Sequence, residues 1–284
     1  MPIFALILII LFSTAVGRAL ILLLPHPPTK PADPLEITFA SLGLGTLING
    51  WLALTLAELA LFSVSLIALF DGLIITIALW QHGRQFWPHT LSPFPKNEQL
   101  MLTVWLIAAA LFFFRPHQFI LGGADAGVYV NLSSHIATTG QITIERPPLT
   151  LIDPDLYPAI FRWRGADAVN PYIWFTGFTH TSPDTITPRF YHLAPVWQAA
   201  GFALAGLDGS LYITPLWGLL ACLAFYMTVR RLWSWPWAAV SLWALTLTPF
   251  QLWFSRYHTT EPFTQYLFWL ALWAFLCWSE NDYV

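Results

Sequence analysis

Apolar runs of membrane-spanning length recur along this chain and constrain its fold more than any other feature. The first covers residues 3–24, and the longest covers residues 37–80. A helix needs roughly 20 apolar residues to cross a bilayer. Hydrophobic residues make up 57% of the chain and charged residues only 10%, against about 25% charged residues in soluble domains. The pattern predicts an all-α polytopic membrane protein and excludes a soluble domain, a coiled coil and a disordered chain.

The net charge, the positions of the cysteines and the short motifs further restrict the possible classes of protein. The formal net charge of −3 does not favour a nucleic-acid partner. Cys222 and Cys277 both lie in apolar runs, where cysteine behaves as a small hydrophobic residue. The sequence lacks the short motifs of zinc proteases, P-loop proteins, serine hydrolases and dinucleotide-binding domains. No cofactor is therefore predicted, and nothing in the pattern supports a metal site.

The best count from the sequence is seven spans, with six and eight as alternatives. Residues 37–80 are long enough for two helices, with competing turn positions at Asn49-Gly50, Glu58 and Asp71-Gly72. Because the first run has no Lys or Arg at its start, we predict an uncleaved span there. The remaining spans are predicted over residues 100–119, 211–229, 237–254 and 262–278.

One large polar loop separates two membrane blocks. Ten charged residues lie within residues 122–192, which contain no run long enough to span a bilayer. The predicted division is a membrane block over residues 1–121 with about four helices, the loop over residues 122–207, and a block of about three helices over residues 208–284. The loop is rich in Tyr, Trp, Phe and Pro, so we expect it to be ordered and to carry an amphipathic and a juxtamembrane helix.

Orientation is predicted from Arg230-Arg231, which lie in a short link between two spans. Basic residues in short links are retained in the cytoplasm. The large loop and the short link of residues 255–261 then both lie outside, so the two polar regions share one face of the membrane. The expected location is the plasma (inner) membrane, with the lipid bilayer as the first partner.

The loop opens with a helix signal over residues 126–139, with Asp125 at the N-cap and Gly140 as the stop. Its apolar face consists of Val128, Leu132, Ile136 and Thr139. This face predicts a helix that lies along the membrane surface. Asp125 and Tyr129 are four residues apart and share one side of the helix. The alternative to a catalytic role is that Asp125 only caps the helix.

The link of residues 255–261 carries the second set of candidates. Arg256 and His258 are residue types that bind an anionic head group at a membrane surface. Glu261 precedes Pro262 at the predicted start of the next helix, where a carboxylate is electrostatically favoured. The alternatives are a membrane-anchoring role for Arg256 and a helix-stabilising role for Glu261.

Four short motifs follow one another in order over residues 100–278. They are Asp125 with Tyr129, His192-x-x-Pro195-x-Trp197, Arg230-Arg231-Leu232, and Arg256 with Glu261. This order resembles the N-terminal module of GT-C membrane glycosyltransferases, a group that includes protein O-mannosyltransferases and lipid A aminoarabinose transferases. The spans before residue 100 are additional to that pattern, and Ala126 stands where many members have a second acid.

The resemblance implies an enzyme that moves a sugar from a polyprenyl-phosphate donor to an extracytoplasmic acceptor. It assigns Asp125 as the catalytic carboxylate, which accepts a proton or orients the acceptor. The resemblance assigns substrate binding to Tyr129, His192, Arg256, His258 and Glu261. Without a second acid, no metal-assisted mechanism is implied. Because such enzymes usually have more than seven spans, this chain is expected to be the front part of a longer protein.

Two other functions stay as alternatives at this point. A multi-span transporter or lipid-handling protein would carry internal repeats with broken helices at matching positions, and the sequence shows no such pairing. A non-catalytic membrane fragment is the third reading. The sequence assigns neither the sugar, the acceptor nor the oligomeric state.

Overall fold

The computed structural model describes residues 1–24, 33–83, 86, 94–120, 125–145, 151–156, 159, 162–163, 172–174, 178–182 and 185–279. The helices are α1 (Pro2–Leu23), α2 (Pro34–Glu58), α3 (Val64–His82), α4 (Lys96–Phe113), α5 (Asp125–Thr139), α6 (Leu193–Leu232), α7 (Trp235–Thr246), α8 (Pro249–Phe254) and α9 (Glu261–Ser279). The strands are β1 (Ile144–Glu145), β2 (Arg162–Trp163), β3 (Tyr172–Trp174), β4 (Phe178–Ser182) and β5 (Thr185–Pro188).

Four helices in the described ranges are long and apolar enough to cross a membrane: α1, α2, α3 and α6. These four helices agree with a helical membrane protein. The predicted total of seven spans stays a prediction. The long run of residues 37–80 forms two helices, and of the competing turn positions Glu58 is the one that ends α2. Asn49 and Asp71 lie inside helices instead, where both are buried.

Two predicted spans are shorter than the sequence indicated. The run of residues 237–254 is broken into α7 and α8, because Pro249 has no N–H to continue the helix. The new helix is capped by Thr248, whose Oγ1 accepts a hydrogen bond from the Gln251 amide at 3.3 Å. Helix α4 ends at Phe113 rather than at residue 119, because Pro116 disfavours helical backbone in the residue before it.

Helices α1 and α2 cross at unusually close range. A Cβ atom added to Gly45 would overlap the Ser13 carbonyl oxygen, and one added to Gly17 would overlap the Ser41 carbonyl oxygen. Small residues spaced four apart on both helices therefore allow backbone-to-backbone contact, as in small-xxx-small pairs of membrane helices. The contact also shows that the two helices run antiparallel.

Helix α6 is a helical hairpin rather than one straight rod. Ala205 and Gly206 have non-helical backbone angles, and Gly206 has a φ of 64° that favours glycine. The arm before this bend folds back on the arm after it. The Trp197 and Trp217 ring centroids lie 5.2 Å apart, although the two residues are twenty positions apart. The second arm, residues 207–232, lies at the centre of the main hydrophobic core.

A buried cluster of charges closes one end of the helix bundle. We call it the arginine cluster; it consists of Asp33, Glu36, Glu98, Arg230 and Arg231. Arg230 Nε lies 2.6 Å from Glu98 Oε1, which also accepts a hydrogen bond from the Tyr226 hydroxyl at 2.6 Å. The starts of α2 and α4 are thus joined to the end of α6. Each side chain in the cluster has a partner of opposite charge.

The opposite end of the bundle carries α5 and the sheet. Helix α5 and its stop at Gly140 (φ 81°) are present as the sequence predicted. Its first half is covered on all sides, because residues 126–130 are all buried. Leu132 and Ile136 pack against the start of α6 and the end of α2. Helix α5 is therefore packed against α2 and α6, and its position along the membrane surface stays a prediction.

The polar loop also contains a five-stranded antiparallel sheet with the order β1-β5-β4-β3-β2. Ile144 pairs with Ile186, and Ile173 pairs with Thr179. The sequence predicted an amphipathic and a juxtamembrane helix in this loop, and it did not indicate the sheet. The strands are short and rich in Thr, Ile and aromatic residues, which are typical of sheets, and such brief runs give little periodic signal.

Candidate functional site

A candidate site lies at the α5 end of the bundle, around the side chain of Tyr129. Tyr129 is buried, with 6% of its surface exposed. Its side chain forms a hydrogen bond with Thr260, and the charges of Asp125 and Glu261 both affect its pKa. The start of α5 and the link before α9 therefore meet, although 136 positions separate Asp125 from Glu261 in the sequence. The predicted acid, its aromatic neighbour and the second acid are grouped at one place.

The ionisation of Tyr129 follows from these surroundings. Burial raises the pKa of the Tyr129 phenol, and the negative charges of Asp125 and Glu261 raise it further. The hydrogen bond to Thr260 opposes this shift without cancelling it. Tyr129 thus stays a neutral phenol at physiological pH and keeps an O–H donor within the electrostatic influence of Asp125 and Glu261.

The loop that precedes α6 contributes a third chain segment to the site, through Phe190. The rings of Phe190 and Tyr129 have centroids 5.1 Å apart and planes tilted by 40°. Such tilted aromatic pairs are a favourable arrangement. Phe190 lies three residues before α6, so the packing ties this helical hairpin to the start of α5.

Arg256 lies on the same link as Thr260 and Glu261, but it is held by a different group of residues. Its Nε donates a hydrogen bond to the Phe112 carbonyl oxygen at 2.6 Å, at the end of α4. Its own carbonyl oxygen accepts a hydrogen bond from the His117 amide at 3.0 Å. Within the described part of the chain, no carboxylate lies within salt-bridge distance of Arg256.

His258 lies inside the protein, where its surface is fully buried. Its Nε2 donates to the His117 carbonyl oxygen at 2.7 Å, which leaves Nδ1 to accept from the Thr214 hydroxyl at 3.1 Å. Burial is the largest cause that lowers the pKa of His258 to about 4, so the ring is neutral. Both ring nitrogens bind within the protein, and a substrate-binding role for His258 stays a prediction without a geometric contact to carry it.

His192 lies at the N-cap of α6 and contacts the end of α2. Its Nδ1 is 3.2 Å from Glu58 Oε1, and the Glu58 side chain is 57% exposed. No described contact joins His192 to Asp125 or Glu261. The predicted role of His192 in substrate binding therefore remains a prediction, and its observed partner is Glu58.

Two residues of the site were not predicted as contacts of Tyr129: Thr260 and Phe190. Thr260 and Phe190 stand next to motif residues, but nothing in their spacing indicates that both approach Tyr129. Glu58, the partner of His192, lies in an apolar run, where an acid is either a functional residue or the mark of a helix end; the structure places it at the end of α2. Residues 121–124, which precede Asp125, lie outside the described residues, so its predicted N-cap geometry is not among the observations.

The described residues contain no group of three or more His, Cys, Asp or Glu side chains with the arrangement of a metal site. No model of a known protein family, no curated protein and no solved structure matches this chain. The function is therefore argued from the site itself.

Proposed function

We propose that this protein is a membrane glycosyltransferase that moves a sugar from a polyprenyl-phosphate donor to an extracytoplasmic acceptor. The observation that carries the proposal is the grouping of Asp125, Tyr129 and Glu261 at one end of a helical bundle. These are residues that the resemblance to GT-C enzymes assigns to the site. Two carboxylates whose charges act on a neutral phenol provide a proton acceptor and hydrogen-bonding groups for a sugar or an acceptor hydroxyl.

The reaction assigns separate tasks to the two groups of residues. The acceptor oxygen attacks the anomeric carbon of the sugar while the bond from that carbon to the phosphate oxygen breaks. Asp125 takes the proton of the acceptor hydroxyl as the attack develops. Arg256 offsets the charge that builds up on the leaving polyprenyl phosphate. Because the donor's lipid tail remains in the bilayer, this chemistry belongs at the membrane interface.

The distribution of charge along α2 supports the proposed orientation, with the loop outside. Helix α2 has Glu36 in the arginine cluster and Glu58 beside His192. At about 1.5 Å per residue, these two glutamates are about 33 Å apart along the helix, which is close to the thickness of a bilayer core. With the arginines in the cytoplasm, the candidate site lies at the outer interface.

The test uses membranes from cells that express the chain, since such membranes supply acceptors. Polyprenyl-phosphate hexoses and pentoses with radiolabelled sugars are added, and the label that leaves the lipid carrier is counted. Membranes with the wild-type chain should transfer label from one donor class. Asp125→Asn, which removes the carboxylate at nearly unchanged shape, should lower the rate about 10²–10⁴-fold.

Asp155→Asn is the matched control, since Asp155 is exposed in the loop and has no part in the site. Protein levels in the membrane should be equal for the wild type and both variants. Transfer that is equally fast in membranes without the chain, or with Asp125→Asn, would contradict the proposed function.

A further inference from the structure

An apolar cavity lies inside the membrane block, between α1, α2, α3 and the first arm of α6 (residues 193–204). Its volume is about 180 Å³, and it is open on one side. Its wall includes Ile9 on α1, Ala53 on α2, Ile67 on α3 and Ala200 on α6. Protein interiors are close-packed and contain few voids larger than a water molecule. A cavity of this size therefore calls for an occupant.

The accessible wall of this cavity is almost entirely apolar. Ser13, Asn49 and Asp71 belong to the lining, but at most 5% of each residue is exposed. Asn49 Nδ2 donates to Asp71 Oδ2 at 3.0 Å, so these two side chains bind each other. An engineered apolar cavity of about 150 Å³ stays dry and binds benzene. By the same physics, this cavity excludes water and accepts a hydrocarbon group.

The position of Phe12 indicates what surrounds the opening. Phe12 lies halfway along α1, lines the cavity and is 42% exposed. The next residue, Ser13, lies against Gly45 of α2. At about 1.5 Å per residue, Gly45 is roughly 14 Å from Glu36 in the arginine cluster and roughly 20 Å from Glu58 at the other end of α2. The exposed side of Phe12 thus faces the bilayer core, where hydrocarbon chains replace water.

Helix α3 leaves room for a lipid chain to enter. Asp71 and Ala78 are its buried residues, so most of its surface faces the bilayer. Ala78 packs with Ala19 near the ends of α3 and α1. Phe12 and Ile67 line the cavity nearer the starts of the same two helices. The helices are therefore in contact at one end, and the cavity lies between them at the other.

We infer that this cavity binds one alkyl chain of a bilayer phospholipid, which enters between α1 and α3. Because about 150 Å³ is enough for the six carbons of benzene, 180 Å³ holds a chain segment of about six carbons. The chain contacts the small side chains of Ala53 and Ala200, which leave the space that it fills. Ala200 also belongs to the cluster that packs on Leu132 of α5, so the bound chain supports the helical arm on which α5 rests.

The test is photo-crosslinking of the purified full chain in phosphatidylcholine nanodiscs. A small share of the lipid carries a diazirine in the middle of one acyl chain, which inserts into nearby C–H bonds on illumination. Mass spectrometry then locates the adducts. We expect at least tenfold more label on Ala53 and Ala200 than on Ala57, which is equally buried on α2 but lies outside the cavity lining. Labelling of Ala53 no stronger than that of Ala57 would overturn the inference.

A cavity-filling variant shows where the labelling chain lies. Ala68 lines the cavity, so Ala68→Phe should fill it and lower the labelling of Ala53 at least tenfold. Leu69→Phe is the matched control, because Leu69 is 66% exposed and lies outside the lining; it should leave the labelling of Ala53 unchanged. Labelling of Ala53 that persists in a folded Ala68→Phe protein would overturn the inference. If Ala68→Phe does not fold, the comparison of Ala53 with Ala57 in the wild type still decides.

Competition distinguishes a phospholipid chain from the tail of the proposed sugar donor. Unlabelled polyprenyl phosphate is added to the nanodiscs in an amount equal to that of the photoreactive lipid. The labelling of Ala53 should stay unchanged, because phosphatidylcholine is in large excess and occupies the cavity. Loss of the label would assign the cavity to a polyprenyl tail and overturn the inference. Because the readout is crosslinking, these outcomes are independent of whether sugar transfer is observed.

Discussion

His258 joins the link before α9 to the segment after α4 through one hydrogen bond, with its Nε2 2.7 Å from the His117 carbonyl oxygen. On its other side, Thr214 lies 3.1 Å from Nδ1 and is itself 3.3 Å from the Gln198 amide. A buried, neutral imidazole thus connects three chain segments beneath the candidate site. The link that carries Arg256 and Glu261 is held in place by this network.

The first prediction concerns pH. The pKa of His258 falls to about 4 in the folded protein, from about 6.5 in an unfolded chain. Between these values the unfolded state binds more protons, so stability should fall as the pH drops from about 6.5 to 4 and level off below. The contribution of this residue reaches about 3 kcal/mol. Thermal unfolding in detergent at pH 7 and pH 5 measures it.

His258→Gln should flatten this pH dependence and lower stability at pH 7 by about 1–3 kcal/mol, because the partners of the ring lose their hydrogen bonds. His82→Gln, at the far end of α3, serves as the control and should leave the pH dependence unchanged. An equally steep loss of stability in His258→Gln would assign the effect to another group.

The second prediction concerns the crossing of α1 and α2. Gly45→Ala places a Cβ atom on the Ser13 carbonyl oxygen, so the helices must separate and the unfolding temperature should fall. Gly72→Ala is the matched control, since a Cβ atom there meets nothing within 4 Å. It should be neutral or stabilise α3 by about 0.5–1 kcal/mol. Equal unfolding temperatures for the two variants would contradict the close crossing.

The third prediction concerns the arginine cluster. Glu98 is fully buried and accepts hydrogen bonds from both Tyr226 and Arg230. Glu98→Gln leaves Arg230 short of one buried counter-charge, which typically costs about 3–5 kcal/mol, lessened here by its remaining partners Asp33 and Glu36. The half-exposed pair of Glu58 and His192 gives the control, because Glu58→Gln should cost only about 0–1 kcal/mol. Denaturation of both variants in detergent compares these losses.

The fourth prediction concerns topology. Cys222 and Cys277 are first replaced by Ala, and single cysteines are then placed at Asp153 and Trp233, both of which are exposed. On intact cells, a membrane-impermeant thiol reagent should label the cysteine at position 153 and not that at position 233. The reverse pattern would place the arginine cluster outside and remove the candidate site from the outer interface.

The fifth prediction separates donor from acceptor recognition. Arg256→Gln should raise the donor concentration that gives half-maximal sugar transfer by roughly tenfold or more, because a charge-assisted contact with phosphate contributes about 1.5–3 kcal/mol. The dependence on acceptor should change less. Arg189→Gln, at an exposed position of the loop, should leave both unchanged. An effect on the acceptor alone would exclude Arg256 from phosphate recognition.

Local sequence signals predicted those features of the structure that depend on residues close together in the chain. The apolar runs predicted the long helices α1, α2 and α3, because burying or lipid-solvating an apolar helix depends mainly on its own composition. The end of α5 followed from Gly140, since helix stops are set by residues within one turn, whereas the helix begins at Asp125, one residue before the predicted start. Arg230-Arg231 marked a helix end, where the structure has a buried charge cluster.

Contacts between distant segments were decided only by the tertiary structure. The charges of Asp125 and Glu261 both act on the Tyr129 side chain because the start of α5 lies near the start of α9. Glu58 contacts His192 because the end of α2 lies beside the start of α6. The bend at Gly206 also depends on packing, since it lets Gly201 and Gly209 bring two helical arms together. The sequence by itself determined which segments are helical and apolar. Only the packing of those segments decided which polar side chains share a site, because side-chain contacts depend on helix positions that no local pattern encodes.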